Sequence, residues 1–197
     1  GKFPQRLQQK QKELLKRNIT VTGLTSKDLN LDYPGHIFEQ NLSDVDLLIN
    51  CAGHSQGSYQ GFLKNDWQNQ LSQINVNYIS NLFLLKHYAN SRQSGKYVWI
   101  STSLLDSARP FHSVYVSTKQ ASKTAIDLIR KEATHIDILE VKVGPTKTGF
   151  RYRNSNGSQN HEEVNRMYDQ ENSLDPDYVA LKMIDAIYNN LQEIYIQ

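Results

Sequence analysis

Alternation is the feature that most constrains this chain. Five short β-rich runs, at residues 19–24, 45–49, 97–101, 138–143 and 193–196, are separated by stretches whose apolar residues recur at helical spacing. Strands that occur singly between helices must line up in parallel, each returning through a helix that covers one face of the sheet. The expected fold class is therefore α/β, a doubly wound parallel sheet forming a single domain over residues 1–197. The run VDLLIN at 45–50 is nearly continuous in apolar residues, as expected of a strand covered on both faces.

The intervening helices announce themselves by period and by caps. Leu71, Ile74, Tyr78, Leu82 and Leu85 recur at helical spacing after a start near Asn65 or Asp66. Ala121, Ala125, Leu128 and Ile129 do the same after Tyr115. A third helix has Asp175 as cap and Pro176 at its first position, then Val179, Met183, Ile184, Ile187 and Leu191. Residues 2–17 alternate Lys and Arg with Gln and Leu and read as the wet side of a helix rather than an RNA-binding arm. Residues 151–173 are the most polar stretch. Placed just after a strand, they are expected to form a long loop with a short helix, acting as a lid.

Bulk properties narrow the partners. A net charge of +2, from 22 basic and 20 acidic residues, points to neither nucleic acid nor a membrane surface. No apolar run approaches the roughly 18 residues of a membrane span. The single cysteine, Cys51, allows no internal disulfide and suits a reducing compartment, so a soluble cytoplasmic protein is expected. His161 with Glu162 and Glu163 lacks partners at ligand-like spacing, and no metal site is expected.

In open parallel sheets, ligands bind at the carboxyl ends of the strands. NCAGHSQG follows the 45–49 run, TS follows 97–101, and GPTKTG follows 138–143. YVSTK at 115–119 opens the next helix, with Tyr115 and Lys119 one turn apart on one face. An ammonium so placed would pull a phenol down from its ordinary pKa of about 10. Four polar constellations therefore converge on one edge of the sheet.

These residues resemble the short-chain dehydrogenase/reductase family along essentially the whole chain. NCAG at 50–53 is similar to the family's NNAG turn, with Cys51 in place of the second Asn. VN at 76–77 matches its helix asparagine, ISTS at 100–103 its catalytic-serine strand end, YVSTK its YxxxK motif, and VGPTKT at 143–148 its PGxxxT stretch. KDL at 27–29 resembles the acidic-apolar pair that packs along the adenine.

The resemblance implies a Rossmann-like domain and hydride transfer between a nicotinamide cofactor and a carbonyl or alcohol carbon. Tyr115 would be the general acid/base, assisted by Lys119. The family's spacing puts the catalytic hydroxyl at Thr102, with Ser103 one step away as the alternative. Asn77 would hold a water in the proton relay. Asp28 and Leu29 would border the adenine, and Asn50, Ala52 and Gly53 the adenosine ribose. Lys119 would bond the nicotinamide ribose, and Gly144, Thr146 and Thr148 would contact the nicotinamide end. Family habit favours NADP(H) over NAD(H), and homo-dimers or homo-tetramers built through the two long helices.

One departure qualifies the expectation. The family's phosphate loop, TGxxxGxG, does not occur in the sequence. If residues 19–24 are the third strand, the first two strands and that loop would precede Gly1, and the chain alone should bind a dinucleotide poorly. Aligning the run as the second strand instead would make residues 2–17 the buried helix after the loop, for which they are too polar. The rival readings are a catalytically silent nucleotide sensor on the same fold, a truncated inactive product, and a sugar-nucleotide epimerase or dehydratase. The last is disfavoured by the short region after the threonine turn.

Overall fold

The computed structural model describes residues 20–107, 109–154 and 161–197. The chain divides into two units, Gly1–Asn30 and Leu31–Gln197. The helix expected over residues 2–17 lies outside the described residues, as does Ile19. In the first unit residues 20–24 carry no regular structure, so the strand expected over 19–24 is not formed. A strand persists only as part of a ladder with a buried face. Here Val21 and Leu24 are exposed, and no ladder reaches the run among the described residues. A turn follows, held by Asp28, whose carboxylate accepts hydrogen bonds from Thr25 N at 2.8 Å and Thr25 Oγ1 at 2.7 Å.

The second unit is built on a four-stranded sheet of β1 (Leu47–Asn50), β2 (Gly95–Thr102), β3 (Ile136–Val143) and β4 (Glu193–Ile196). The strands lie in the order β1-β2-β3-β4, and every pairing is parallel. β1 connects to β2 through α1 (Trp67–Ile74), a π-helical segment (Asn75–Ile79) and α2 (Ser80–Ser91). The crossover from β2 to β3 is α3 (Ser113–Glu132); α4 (Phe150–Asn154), α5 (His161–Gln170) and α6 (Pro176–Tyr188) lead from β3 to β4. Among the described residues, no helix is long and apolar enough to cross a membrane.

Alternation along β3 shows how both faces are covered. Leu139 and Val141 pack with Val98 and Ile196 in a core that α6 closes with Met183, Ala186 and Ile187. The α6 start is as its sequence predicts: the Asp175 carboxylate accepts from Asp177 N at 2.7 Å, and Pro176 follows. Glu140 points to the opposite face and is fully buried; Lys123 of α3 donates to it at 2.8 Å. β1 departs from expectation, for it is an edge strand. Leu47 and Ile49 are 38% and 37% exposed, so the apolar run is not covered on both faces.

The helix phases also differ from those read in the sequence. α1 starts as expected at its Asp66 cap, which accepts from Gln68 N at 2.8 Å. Its buried side, however, runs through Gln70, Gln73, Asn77, Ser80, Asn81, Leu84 and Leu85, while Leu71 is exposed. Polar residues face inward because each finds a partner there. Gln70 donates to the Phe62 carbonyl at 2.9 Å, Gln73 to the Gln56 carbonyl at 2.9 Å and Ser80 to the Leu31 carbonyl at 2.6 Å. On α3 the buried residues are Tyr115, Thr118, Lys119, Ser122 and Ile126. Ala121, Ala125 and Ile129 are half-buried and Leu128 is exposed.

Beneath the end of β1, Asn50 donates to Asn81 Oδ1 at 2.9 Å and to the Tyr97 hydroxyl at 3.0 Å, and Tyr97 donates to Asn81 Oδ1 at 2.8 Å. Replacing Asn81 with Leu removes the shared acceptor while leaving both donors buried. The Asn81→Leu variant should lose about 1–3 kcal/mol of stability, read from a urea unfolding curve; an unchanged midpoint would show that this triad contributes nothing.

Candidate active site

Parallel strands deliver their carboxyl ends to one edge, so β1, β2 and β3 finish side by side at Asn50, Thr102 and Val143. The turn after β1 is held from below. Asn77, 1% exposed in the π-helical segment, accepts from His54 N at 2.8 Å and donates to the His54 carbonyl at 2.7 Å. It also donates to Thr118 Oγ1 at 3.2 Å, and its own carbonyl accepts from Ser122 Oγ at 2.8 Å. Both ends of the carboxamide are therefore engaged by protein. This geometry makes Asn77 a positioning residue for the turn after β1.

Tyr115 and Lys119 share the buried face of α3, as their spacing requires. The Lys119 ammonium, 3% exposed, donates to the Ile100 carbonyl of β2 at 2.8 Å and lies 5.4 Å from the centre of the Trp99 ring. Burial pulls its pKa from 10.5 down to about 8, with Cys51 and Glu140 opposing. Tyr115 behaves differently from expectation. Burial pushes its phenol up to about 12, and the nearby Thr102 side chain opposes that rise. Lys119 turns one of its three donors to the Ile100 carbonyl. The group poised here is a neutral phenol.

Of the two candidate hydroxyls, Thr102 is the one near enough to the phenol to oppose the rise in its pKa. Its Oγ1 also accepts from Leu104 N at 3.3 Å, capping the 3-10 turn Ser103–Asp106. Ser103 instead borders a cavity of about 270 Å³ shared with Gly144, Pro145, Leu174 and Glu171. Gly144 itself lies close to β4: a Cβ there would stand 3.4 Å from the Ile196 carbonyl oxygen. Thr146 donates to the Gly144 carbonyl at 3.0 Å, and Thr148 Oγ1 accepts from Phe150 N at 3.3 Å.

Asn50 spends its carboxamide inside the protein, its Oδ1 accepting from Ala52 N at 3.0 Å. Asp28 and Leu29 belong to the first unit, where Asp28 is bonded to Thr25. Cys51 is exposed; its surroundings raise the thiol pKa by desolvation, against the pull of Lys119, so it is not an activated nucleophile. His112 sits at the N-cap of α3 without a side-chain cap bond and lies edge-on to Tyr59, ring centres 5.7 Å apart.

Gly53 lies where Phe150, Asn77 and Lys119 come together. A Cβ on it would meet Phe150 Cε2 at 3.5 Å, Asn77 Oδ1 at 3.9 Å and Lys119 Nζ at 3.9 Å. A cradle with a glycine floor, a buried ammonium, a phenol and a threonine hydroxyl has the donor set for a ribose and an adjoining ring. Phe150 was not anticipated from the sequence, yet its ring lies 6.0 Å from that of Tyr115. The only signal was an aromatic residue just beyond the threonine turn.

The stretch expected to act as a lid contains α4 and α5 in its described part, with residues 155–160 outside the described residues. Its base is pinned, for Leu174 N donates to the Pro145 carbonyl at 2.7 Å and Lys147 N to the Leu174 carbonyl at 3.0 Å. Tyr168 reaches back to donate to the Thr148 carbonyl at 2.8 Å. A cavity of about 380 Å³ opens among Lys147, Thr148, Tyr152, Asn165 and Tyr168.

The family model for short chain dehydrogenases matches residues 5–159. Among curated proteins none matches the chain. Solved structures do. One is a short-chain dehydrogenase from Sphingobium yanoikuyae in complex with NADPH, at TM-score 0.67 and 15% identity, covering 84% of this chain and 65% of that one. Another is an alcohol dehydrogenase from the archaeon Thermococcus sibiricus complexed with 5-hydroxy-NADP, at TM-score 0.71 and 17% identity, covering 98% and 81%. A third is a small-chain dehydrogenase in complex with NADPH, at TM-score 0.77 and 16% identity, covering 94% and 90%. At these identities the likeness establishes the fold, a Rossmann-like parallel sheet.

Burial of Lys119 has a thermodynamic signature. The folded protein releases this proton near pH 8 and the unfolded chain near 10.5, so between those values the unfolded state holds more protons and stability rises with pH. Below pH 8 the buried charge costs up to about 3 kcal/mol relative to the neutral amine. Urea titrations from pH 7 to 10 should therefore show Lys119→Met gaining most over wild type at pH 7, with the gap closing as pH rises. A pH-independent gap would mean the ammonium is not desolvated.

Proposed function

The chain belongs to the short-chain dehydrogenase family, and on that premise we propose that it is an oxidoreductase moving a hydride between a nicotinamide cofactor and the carbonyl or alcohol carbon of a small molecule. The observation that carries this reading is that Tyr115 and Lys119 lie buried on one face of α3, one helical turn apart, with Thr102 closing β2 beside the phenol. The cofactor, when bound, supplies or accepts the hydride at its nicotinamide ring.

This chain's residues handle the oxygen and the proton. A phenol held near 12 keeps its proton at neutrality and can donate it as negative charge develops on the substrate oxygen. Thr102, beside that phenol, offers the same oxygen a second partner and fixes its approach. In the oxidation direction Tyr115 would have to lose its own proton first, and its raised pKa keeps the phenolate scarce near neutrality. Lys119, titrating near 8, is the neighbouring group able to exchange protons at working pH. Asn77 acts through the turn it holds, keeping Ala52 and Gly53 where a ligand passes.

Lys119, Gly53, Gly144, Thr146 and Thr148 would hold the nicotinamide half of the cofactor. Asn50 and Ala52 would border the adenosine ribose, and Asp28 and Leu29 the adenine. The NADPH and 5-hydroxy-NADP complexes among the similar structures support NADP(H) over NAD(H). Exposed Trp67 and Leu71 on α1 and Leu128 on α3 support assembly with further copies through these helices. A second reading, nucleotide binding without turnover, draws on one observation: burial holds the Tyr115 phenol at about 12, far above the pKa that suits a general acid near neutrality.

Oxidation of NADPH and NADH against a panel of aldehydes and ketones tests the assignment. Turnover with NADPH should fall on the order of 10²- to 10⁴-fold in Tyr115→Phe, with dinucleotide affinity retained. Affinity without turnover across the panel would favour the second reading, and no affinity for either dinucleotide in a chain that carries the phosphate loop would sink both.

A further inference from the structure

Beyond the proton donor, the lid carries a charge that its own partners do not balance. Arg151 follows Phe150, whose ring packs on Tyr115, and its side chain is only 15% exposed. The guanidinium lies against the Tyr168 ring, 4.9 Å from its centre. Its Nη2 donates to Glu171 Oε2, while Nη1 is buried and has no hydrogen-bond partner among the described residues. Glu171 also receives Arg109 Nη1 at 3.3 Å on its other oxygen. One carboxylate thus faces two guanidiniums and leaves one positive charge in excess.

The place of this cluster matters as much as its charge. Glu171 walls the same cavity as Ser103 and Gly144, next to Thr102 at the end of β2. Tyr59, after the β1 turn, also feels the cluster: burial raises its phenol pKa, and Arg151 and Arg109 oppose the rise. A buried guanidinium N–H without an acceptor is costly, and a site that tolerates it gains most when an anion arrives.

We propose that Arg151, through its unpartnered Nη1, receives the carboxylate of a singly charged carbonyl substrate and so selects acidic over neutral substrates at this site. The inference rests on the oxidoreductase reading for the word substrate, but the anion site itself stands on the lid geometry. A monoanion is the fitting ligand because the cluster has one charge to neutralise and Glu171 would repel a second. The planar edge of a guanidinium also matches a carboxylate better than it matches a neutral ester.

Binding of benzoylformate and of its methyl ester to the full chain, followed by NMR shift titration, tests this directly. The acid should bind on the order of 10- to 100-fold more tightly than the ester, the size of a charge-assisted hydrogen bond. Arg151→Gln should abolish that preference and leave the ester unchanged. Glu171→Gln should act in the opposite sense and tighten the acid, which a merely structural ion pair would not do. Equal affinities in wild type, no measurable acid binding, or loss of both ligands alike in a folded Arg151→Gln would overturn the proposal. NADPH turnover with the same pair separates the two readings. Acid preference in binding without turnover supports this site against the oxidoreductase assignment, and turnover blind to the carboxylate defeats the anion site alone.

Discussion

Much of this molecule depends on one buried carboxamide. Asn77 grips both the N–H and the carbonyl of His54 and a hydroxyl of α3, while its own backbone carbonyl takes Ser122. Three segments distant in sequence, the turn after β1, the middle of the first crossover and the catalytic helix, are thereby fixed to one another. A side chain with a donor and an acceptor on one rigid plane can do this, and an apolar residue of similar volume cannot. The π-helical segment at Asn75–Ile79 lies where this demand falls. One extra residue in a helical turn re-aims the side chains around it, a device often found beside functional sites.

The same logic explains which parts of the fold were legible in the sequence. Parallel order, the crossovers and the α6 start were readable because they rest on local signals: short β-rich runs, an Asp-Pro cap, a helical period. Tyr115 and Lys119 were readable as a face because four-residue spacing is geometry. The burial phase of α1 and α2 was not. Apolar periodicity assumes that the buried side is the greasy side, and here Gln70, Gln73, Asn77 and Ser80 point inward because backbone carbonyls await them. No rule that scores residues singly can know where those carbonyls are.

The strand expected at 19–24 and the expected covering of β1 failed for a related reason. Both inferences took β-propensity or apolar content as enough, whereas a strand's state is decided by its neighbours. Leu47 and Ile49 lie on an edge, and propensity cannot say which strand is outermost. At Tyr115 a cation one turn away suggested a lowered pKa, while burial, which four-residue spacing does not report, raises it.

The bridge between Thr146 and Leu174 has a consequence for how such proteins diversify. It closes the lid's two ends onto each other, so the segment between them leaves and re-enters the sheet region at a fixed doorway. Lengthening a loop whose ends are already joined costs only slowly more conformational entropy as residues are added. Residues inserted or deleted beyond Phe150, whose ring lies against Tyr115, need not disturb β3, β4 or the phenol. The doorway makes that outer stretch an interchangeable part, free to vary in length and sequence while the sheet edge beneath it is inherited unchanged.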